Sequence, residues 1–220
     1  MPTVLITGAN RGIGLEFARQ YAADGWDVIA TGRNPADAAE LNALKVRVEQ
    51  LDMRDLDAVV AFAGRVEALD LLIANAGTNH PMNANTAADA KAWVDMLAVN
   101  SIAPFMLAKG VLARVAEAKG KLVAISSGMG SLEETSGGWI PYRTSKAALN
   151  MAWRSLALEA RAQGVTMAML SPGWVKTRMG GAGAEISAKE SVTAMCALIG
   201  RLTLEQSGAF LTRTGSPIPW

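Results

Sequence analysis

The sequence predicts an α/β fold in which a doubly wound parallel sheet of about seven strands carries helices on both faces. Seven short apolar runs recur along the chain without apolar–polar alternation, which is typical of strands buried on both faces. Most of these runs are separated by Ala-rich stretches with apolar residues at three- and four-residue steps, which indicates helices. Strands that alternate with helices favour right-handed crossovers and hence a parallel sheet.

The predicted elements follow one another along the whole chain. The predicted strands cover residues 3–7, 27–31, 46–52, 70–75, 121–126, 165–170 and 209–212. The predicted helices lie near 12–24, 35–44, 54–66, 87–116, 142–162 and 187–201. Because no linker-like segment or internal repeat interrupts this series, we expect residues 1–220 to form one domain.

Composition excludes several classes of function. The formal net charge is +1 and no run of like charges occurs, which argues against a nucleic-acid or anionic-membrane surface. The segment after Met1 has no basic n-region or long apolar run, so we expect no secretory signal, and no apolar stretch approaches the roughly 20 residues of a spanning helix. Cys196 is the only cysteine, as expected for a reducing cytoplasm. His80 is the only histidine, which leaves little room for a Ser-His-Asp triad or a metal site.

The first predicted strand runs into a glycine-rich turn, "TGANRGIG", from Thr7 to Gly14. Glycines at 8, 12 and 14 allow positive φ and close approach of a ligand to the backbone. The helix that follows offers free N–H groups and a positive dipole end to a pyrophosphate. The pattern could be a plain strand-to-helix turn, but its position after the first strand favours the dinucleotide site of a Rossmann-type sheet.

The second predicted strand ends at Gly32 and Arg33, where many dinucleotide folds carry an acidic residue for the ribose. A carboxylate would repel a 2′-phosphate, whereas Arg33 and Arg11 could pair with it. Both arginines could instead be solvated surface residues. Two of them at converging positions favour NADP(H) over NAD(H).

The third and fourth strands end at Asp52 and at Asn75–Gly77. Asp52 could accept a hydrogen bond from an adenine amino group, and the small-residue turn could admit the adenosine ribose. Each is also ordinary turn chemistry. Their positions at successive strand ends make them candidates.

Tyr142 and Lys146 lie at positions i and i+4 of a predicted helix, about 6 Å apart at Cβ. A cation about 5 Å from a phenol would lower the phenol pKa by about two units at an effective dielectric near 20. The pair could also be amphipathic side chains on a half-buried face. Serine at the end of the fifth strand could hold a carbonyl oxygen beside the phenol, and residues alone leave open whether Ser126 or Ser127 does so.

These residues together resemble the short-chain dehydrogenase/reductase family. The resemblance rests on Thr7–Gly14, Asn75–Gly77, Asn100, Ser127, Tyr142, Lys146 and Pro172–Gly173. It spans nearly the whole chain, and the C-terminal half is most similar to the small carbonyl-reductase-like branch that includes sniffer and C-factor proteins. The resemblance implies that Tyr142 is the acid/base, that Ser127 positions the substrate oxygen, that Lys146 binds the nicotinamide ribose, and that Asn100 anchors a water.

The resemblance also implies a cofactor, a reaction and an assembly. The candidate cofactor contacts are Gly8, Asn10, Arg11, Gly12, Ile13, Gly14, Arg33, Asp52, Met53, Asn75, Ala76, Gly77, Tyr142, Lys146, Pro172, Gly173, Val175 and Thr177. We expect NADP(H)-dependent interconversion of a small aldehyde or ketone with its alcohol. The alternative is an NADP(H)-binding sensor or signalling protein without turnover. A homodimer or homotetramer through the helices near 87–116 and 142–162 is expected by resemblance.

One departure from the family concerns the substrate mouth. Tyr142 follows Ser127 by 15 positions, about two more than is common in the family, and "LEETSGGWI" holds the addition. A longer loop should reshape the mouth without moving either side chain. The apolar residues that flank the motifs could form a substrate wall, or could be core or subunit-contact residues: Met129, Trp139, Trp174 and Met179.

Overall fold

A computed structural model describes residues 1–79 and 85–220, and its strands form one parallel sheet. The strands are β1 Thr3–Ile6, β2 Asp27–Gly32, β3 Arg47–Gln50, β4 Leu71–Ala74, β5 Lys121–Ile125, β6 Thr166–Ser171 and β7 Ala209–Thr212. Their order across the sheet is β3-β2-β1-β4-β5-β6-β7, and every neighbouring pair is parallel. The predicted doubly wound sheet is therefore confirmed, with strand order reversing between β1 and β4.

Seven α-helices connect these strands in the described part of the chain. They are α1 Gly12–Ala23, α2 Ala39–Asn42, α3 Leu56–Arg65, α4 Ala87–Leu97, α5 Ala103–Glu117, α6 Ile140–Ala160 and α7 Ala188–Arg201. The helix expected near 35–44 is instead a 3₁₀ turn, Pro35–Asp37, followed by the single turn α2. Asn34 Nδ2 donates to Asp37 Oδ2 at 3.2 Å, and such local side-chain hydrogen bonds favour turns over a continuous helix.

The strands carry side chains into two apolar cores, one on each face of the sheet. Leu5 and Leu72 pack with residues of α3, α5 and α6, whereas Val4 and Ile6 pack with α1 and α7. Successive strand residues point to opposite faces, so every strand except β3 contributes side chains to both cores. The expectation of helices on both faces is confirmed.

A single helical run extends from Ala87 to Glu117 through α4, a π-helical segment Ala98–Ile102, and α5. By length and composition this run could span a membrane, contrary to the expectation that no such stretch exists. Half of its most apolar window is buried inside the fold, and Leu107, Val111 and Val115 pack in the core. A core helix of this kind satisfies the same length and hydropathy criteria as a membrane span.

Gly110 and Gly64 lie on neighbouring helices but differ in the space around them, so they offer a matched pair of substitutions. A Cβ on Gly110 of α5 would lie 2.6 Å from Ala63 Cβ of α3, whereas a Cβ on Gly64 would meet nothing within 4 Å. We expect Gly110→Ala to lower the free energy of unfolding by about 1–3 kcal/mol through overpacking. Gly64→Ala should raise it by up to about 1 kcal/mol through helix propensity. Urea unfolding of both variants measures the difference, and equal effects would contradict the α3–α5 packing.

Candidate active site

The glycine-rich turn lies against the end of β4, at the point where strand order reverses. Gly8 and Gly12 have φ of +66° and +58°, a region that few other residues adopt. A Cβ on Gly8 would lie 2.9 Å from Ala76 Cα, and a Cβ on Gly14 would lie 2.4 Å from Gly8 O. The turn therefore requires glycine for conformation at Gly8 and Gly12 and for close approach at Gly8 and Gly14.

Thr7 and Asn75 hold this turn to β4 by reciprocal hydrogen bonds. Thr7 Oγ1 accepts from the N–H groups of Asn75 and Ala76 at 3.1 and 3.0 Å. Asn75 Nδ2 donates to Thr7 O at 2.9 Å and to Gly8 O at 3.2 Å. The Asn75 side chain thus stabilises the turn. Within the Asn75–Gly77 segment, Gly77 is the residue exposed to solvent.

The side chains of Asn10, Ile13, Asp52 and Met53 differ in their access to a ligand. Asn10 is exposed next to Gly32, and Ile13 is half-buried. Asp52 Oδ2 accepts from Arg54 at 2.6 Å, and this hydrogen bond is the largest cause of the lowered pKa of Asp52. Met53 is buried in the core, so a cofactor would meet its main chain.

Three arginines gather beside the glycine-rich turn. Arg11 precedes α1 and is exposed, as is Arg33 at the end of β2. The pKa of Arg11 is lowered first by partial burial and then by the charges of Arg178 and Arg33. Across the described ranges none of the three pairs with an acidic side chain. A group of unpaired guanidinium ions fits a phosphate.

The sequence patterns did not predict Arg178 as a site residue. The contact that brings it to this place is between Thr177 and the turn, since a Cβ on Gly12 would lie 3.3 Å from Thr177 Cγ2. Its position immediately after the candidate Thr177 is the only signal that the sequence offered.

The segment after β6 also borders the cleft. Gly173 is exposed and has φ of +80°, while Pro172 and Val175 are buried. Ser191 Oγ donates to Pro172 O at 2.7 Å and so holds the start of the segment. Thr177 Oγ1 accepts from Gly180 N at 3.1 Å, so this hydroxyl stabilises its own loop.

Tyr142 and Lys146 share one face of α6, where Lys146 is buried and Tyr142 is half-buried. Lys146 Nζ lies 5.8 Å from the centre of the Tyr142 ring and donates to Ile125 O at 2.9 Å. Burial lowers the pKa of Lys146 to about 8. Burial raises the pKa of Tyr142, and a side-chain hydrogen bond with Ser127 lowers it in part. The expectation that Lys146 lowers the Tyr142 pKa is wrong, because desolvation of the phenolate dominates.

Ser126 and Ser127 face different surroundings. Ser126 is 2% exposed and donates from Oγ to Asn150 Oδ1 at 2.6 Å. Ser127 is half-buried, accepts at Oγ from Met129 N at 3.2 Å and lies near enough to Tyr142 to lower the pKa of the phenol. The structure therefore brings Ser127 rather than Ser126 to the phenol.

Asn100 lies in the π-helical segment, a kind of distortion that often marks functional sites. Its Oδ1 accepts from Thr78 N at 2.8 Å, and its Nδ2 donates to Thr78 O at 2.9 Å and to Ser145 Oγ at 3.0 Å. A Cβ on Gly77 would lie 3.4 Å from Asn100 Oδ1 and 3.8 Å from Lys146 Nζ. Asn100 and Lys146 therefore meet around the exposed Gly77.

The flanking apolar residues do not belong to the core. Trp139, Trp174 and Met179 are each about half exposed, and Met129 is partly buried. This excludes the core alternative for the three exposed side chains. His80, expected at the mouth, lies outside the described residues.

Burial of Lys146 should make the free energy of unfolding depend on pH. Between pH about 8 and the ordinary lysine pKa of 10.5, the unfolded chain binds a proton that the folded chain has lost. The Lys146 contribution to the free energy of unfolding therefore rises with pH in this window, by about 1–3 kcal/mol. Urea unfolding at several pH values should show this rise in the parent chain relative to Lys146→Met. The half-exposed Lys109 supplies the control, since Lys109→Met should retain the parent's profile; parallel curves for the parent and Lys146→Met would contradict the burial.

Comparisons with known proteins agree with this geometry. The family model described as short chain dehydrogenase matches residues 2–186. The C-signal protein of Myxococcus xanthus is 38% identical over 160 residues, which cover 69% of this chain and 93% of that protein.

Two solved structures are similar along the whole chain. The carbonyl reductase Sniffer of D. melanogaster is 31% identical with a TM-score of 0.92, and the alignment covers 100% of both chains. The NADPH-bound carbonyl reductase from chicken fatty liver is 33% identical with a TM-score of 0.90, covering 100% of this chain and 99% of that one. The chain described here therefore belongs to the short-chain dehydrogenase family of oxidoreductases.

Proposed function

We propose that this chain is an NADP(H)-dependent carbonyl reductase that converts a small aldehyde or ketone into its alcohol, with Tyr142 as the acid/base. The observation that carries the proposal is the meeting of three side chains: Ser127 lies near enough to Tyr142 to lower the pKa of the phenol, and Lys146 Nζ lies 5.8 Å from the centre of the phenol ring. Such a trio can receive a carbonyl oxygen and supply it with a proton. The carbonyl reductases among the similar structures support the same reaction class.

The residues present fit the cofactor. The tight turn around Gly8 and Gly12 and the N-terminus of α1 suit a pyrophosphate. Arg11 and Arg33, joined by Arg178, suit a 2′-phosphate. The small, exposed Gly77 and Gly173 leave room for the nicotinamide end. Bound NADPH would supply the hydride for the carbonyl carbon.

The chain's own groups handle the proton and the oxygen. Ser127 Oγ–H would donate to the substrate oxygen, and the Tyr142 hydroxyl would transfer its proton to it. The raised pKa of Tyr142 keeps the phenol protonated at neutral pH, which suits a proton donor and hence the reductive direction.

Lys146 and Asn100 support this proton transfer. One N–H of Lys146 is engaged by Ile125 O, and the others would be free for a ribose hydroxyl and for the charge left on the phenol. The Asn100 amide is already committed to Thr78 and Ser145. A water at Asn100 would therefore have to donate to its main-chain oxygen or to the second lone pair of Oδ1.

Removal of the phenol hydroxyl tests the acid/base role. Tyr142→Phe should lower kcat by roughly 10²–10⁴-fold, because Ser127 would still hold the substrate oxygen but no group would be left to transfer a proton to it, while NADPH affinity stays nearly unchanged. Nicotinamide absorbance measures turnover and nicotinamide fluorescence measures binding. Normal turnover in this variant would sink the assignment.

The arginine group tests the cofactor preference. Arg11→Ala combined with Arg33→Ala should weaken NADPH binding by about 10²–10³-fold more than NADH binding, since each charge-assisted hydrogen bond contributes about 1.5–3 kcal/mol. Arg114→Ala is the control, because Arg114 pairs with Glu117 on α5. Equal losses for both cofactors would refute the preference for NADP(H).

A second function, that of an NADP(H)-binding signalling protein without turnover, is supported by the 38% identity to the C-signal protein. A panel of aliphatic and aromatic aldehydes, ketones and alcohols with NADP(H) and NAD(H) separates the two functions. NADPH binding without turnover of any member would favour signalling. Turnover that Tyr142→Phe abolishes would favour the reductase.

Exposed apolar side chains on the helices from α4 to α6 support the expected self-association: Val94, Ile102, Met106, Met151 and Leu158. The homodimer or homotetramer and the cytoplasmic location stay predictions.

A further inference from the structure

We propose that Asn150 is a positioning residue that sets Ser127 relative to Tyr142. The inference rests on the proposed function, because it assumes that Ser127 holds the substrate oxygen. Asn150 lies one helical turn after Lys146 and about two turns after Tyr142 on α6. It does not face the cleft, since it is only 1% exposed.

Asn150 holds the residue that precedes Ser127. Its Oδ1 accepts from Ser126 Oγ at 2.6 Å, and the Ser126 N–H donates to Leu170 O of β6 at 2.8 Å. A buried amide and a buried hydroxyl each lose their hydration, so this hydrogen bond is costly to break and favours one arrangement. It joins the end of β5 to α6.

Asn150 also lies against the turn that follows Ser127. A Cβ on Gly130 would lie 2.9 Å from Asn150 Nδ2 and 3.0 Å from Lys146 Cβ, so the turn packs directly on α6. Asn150 Nδ2 donates to Gly130 O at 3.5 Å, at the long limit for a hydrogen bond. One amide thus contacts both sides of the Ser127 turn.

The remaining anchors of this turn come from other directions. Ser171 Oγ accepts from Gly128 N at 3.1 Å and ties the turn to β6. Lys146 Nζ donates to Ile125 O at 2.9 Å, but Lys146 is itself part of the proposed site. Asn150 is thus the contact that fixes the Ser127 turn to α6 without taking part in chemistry. A helix is rigid over two turns. The contact between Asn150 and the Ser127 turn therefore fixes the distance between Ser127 and Tyr142.

Two variants remove the same hydrogen bond from opposite ends. Asn150→Leu and Ser126→Ala should each lower kcat for 4-nitrobenzaldehyde by about tenfold to a hundredfold, since misplacement by about 1 Å has effects of this size. NADPH affinity should change by less than about twofold, because the glycine-rich turn is untouched. If Asn150→Leu does not fold, Ser126→Ala decides alone, and Ser126→Thr should restore most of the loss.

A matched control separates positioning from general loss of stability. Ser207 Oγ accepts from Met167 N at 3.0 Å, at the amino end of β6 and away from the proposed site. Ser207→Ala should lower the unfolding temperature and leave kcat unchanged. A loss of kcat in Ser207→Ala as large as that in Ser126→Ala would overturn the inference.

A double-mutant cycle tests whether Asn150 acts through Ser127. In the Ser127→Ala background, Asn150→Leu should cost little further turnover, because the hydroxyl it positions is gone. A combined loss equal to the product of the single losses would overturn the inference.

A second test does not depend on turnover. It measures the pKa of Tyr142 from its phenolate absorbance during a pH titration, and the signal is assigned by its disappearance in Tyr142→Phe. Because the Ser127 hydrogen bond lowers the pKa of Tyr142, Asn150→Leu should raise it as Ser127→Ala does. An unchanged pKa in Asn150→Leu beside a raised one in Ser127→Ala would count against the positioning role.

The outcomes also separate this inference from the proposed function. Absence of turnover in the parent chain would contradict the proposed function, whereas normal turnover in Ser127→Ala would contradict the role of Ser127 and the positioning inference that rests on it. Loss of turnover in Ser127→Ala, together with parent-like kcat in both Asn150→Leu and Ser126→Ala, would overturn the positioning role alone.

Discussion

The hydrogen-bonded link between β1 and β4 is the interaction on which the site depends. Thr7 and Asn75 exchange hydrogen bonds across the point where strand order reverses, and the glycine-rich turn approaches Ala76 closely enough to exclude a Cβ on Gly8. This contact opens the crevice between the ends of β1 and β4 that doubly wound sheets use for ligands. The arginines, Gly77 and the α6 face are arranged around that crevice.

The centre of the site is held in an unfavourable electrostatic state. Burial disfavours the ammonium of Lys146 and the phenolate of Tyr142 at the same time. A buried lysine without an anionic partner is destabilising, and its carbonyl contact with Ile125 offsets only part of that cost. The fold thus gives up stability here to keep a protonated phenol beside a lysine in a desolvated cleft, as is common where function and stability compete.

Local patterns predicted most of the residues that the structure brings to the crevice. The glycine-rich turn was recognisable because its conformation demands glycine at fixed spacing, and the Tyr142–Lys146 pair because a helix places i and i+4 on one face. Asn150 and Arg178 were missed because their partners lie far away in sequence: Asn150 meets the end of β5, and Arg178 reaches Arg11 through the Thr177 contact. The 35–44 region was misread because local hydrogen bonds around Asn34 compete with helix.

The amino-acid sequence predicts the alternation of buried strands and helices, the position of the glycine-rich turn and the placement of Tyr142 and Lys146 on one helix face, since all three follow from local periodicity and backbone sterics. Which serine meets the phenol depends on the folded chain, because Ser126 and Ser127 differ in nothing but the surroundings that folding gives them. The tertiary structure also decides the direction of the Tyr142 pKa shift. The sequence indicates how far the Tyr142 phenol lies from the Lys146 cation. Desolvation of the phenol, however, depends on every element packed around the ring.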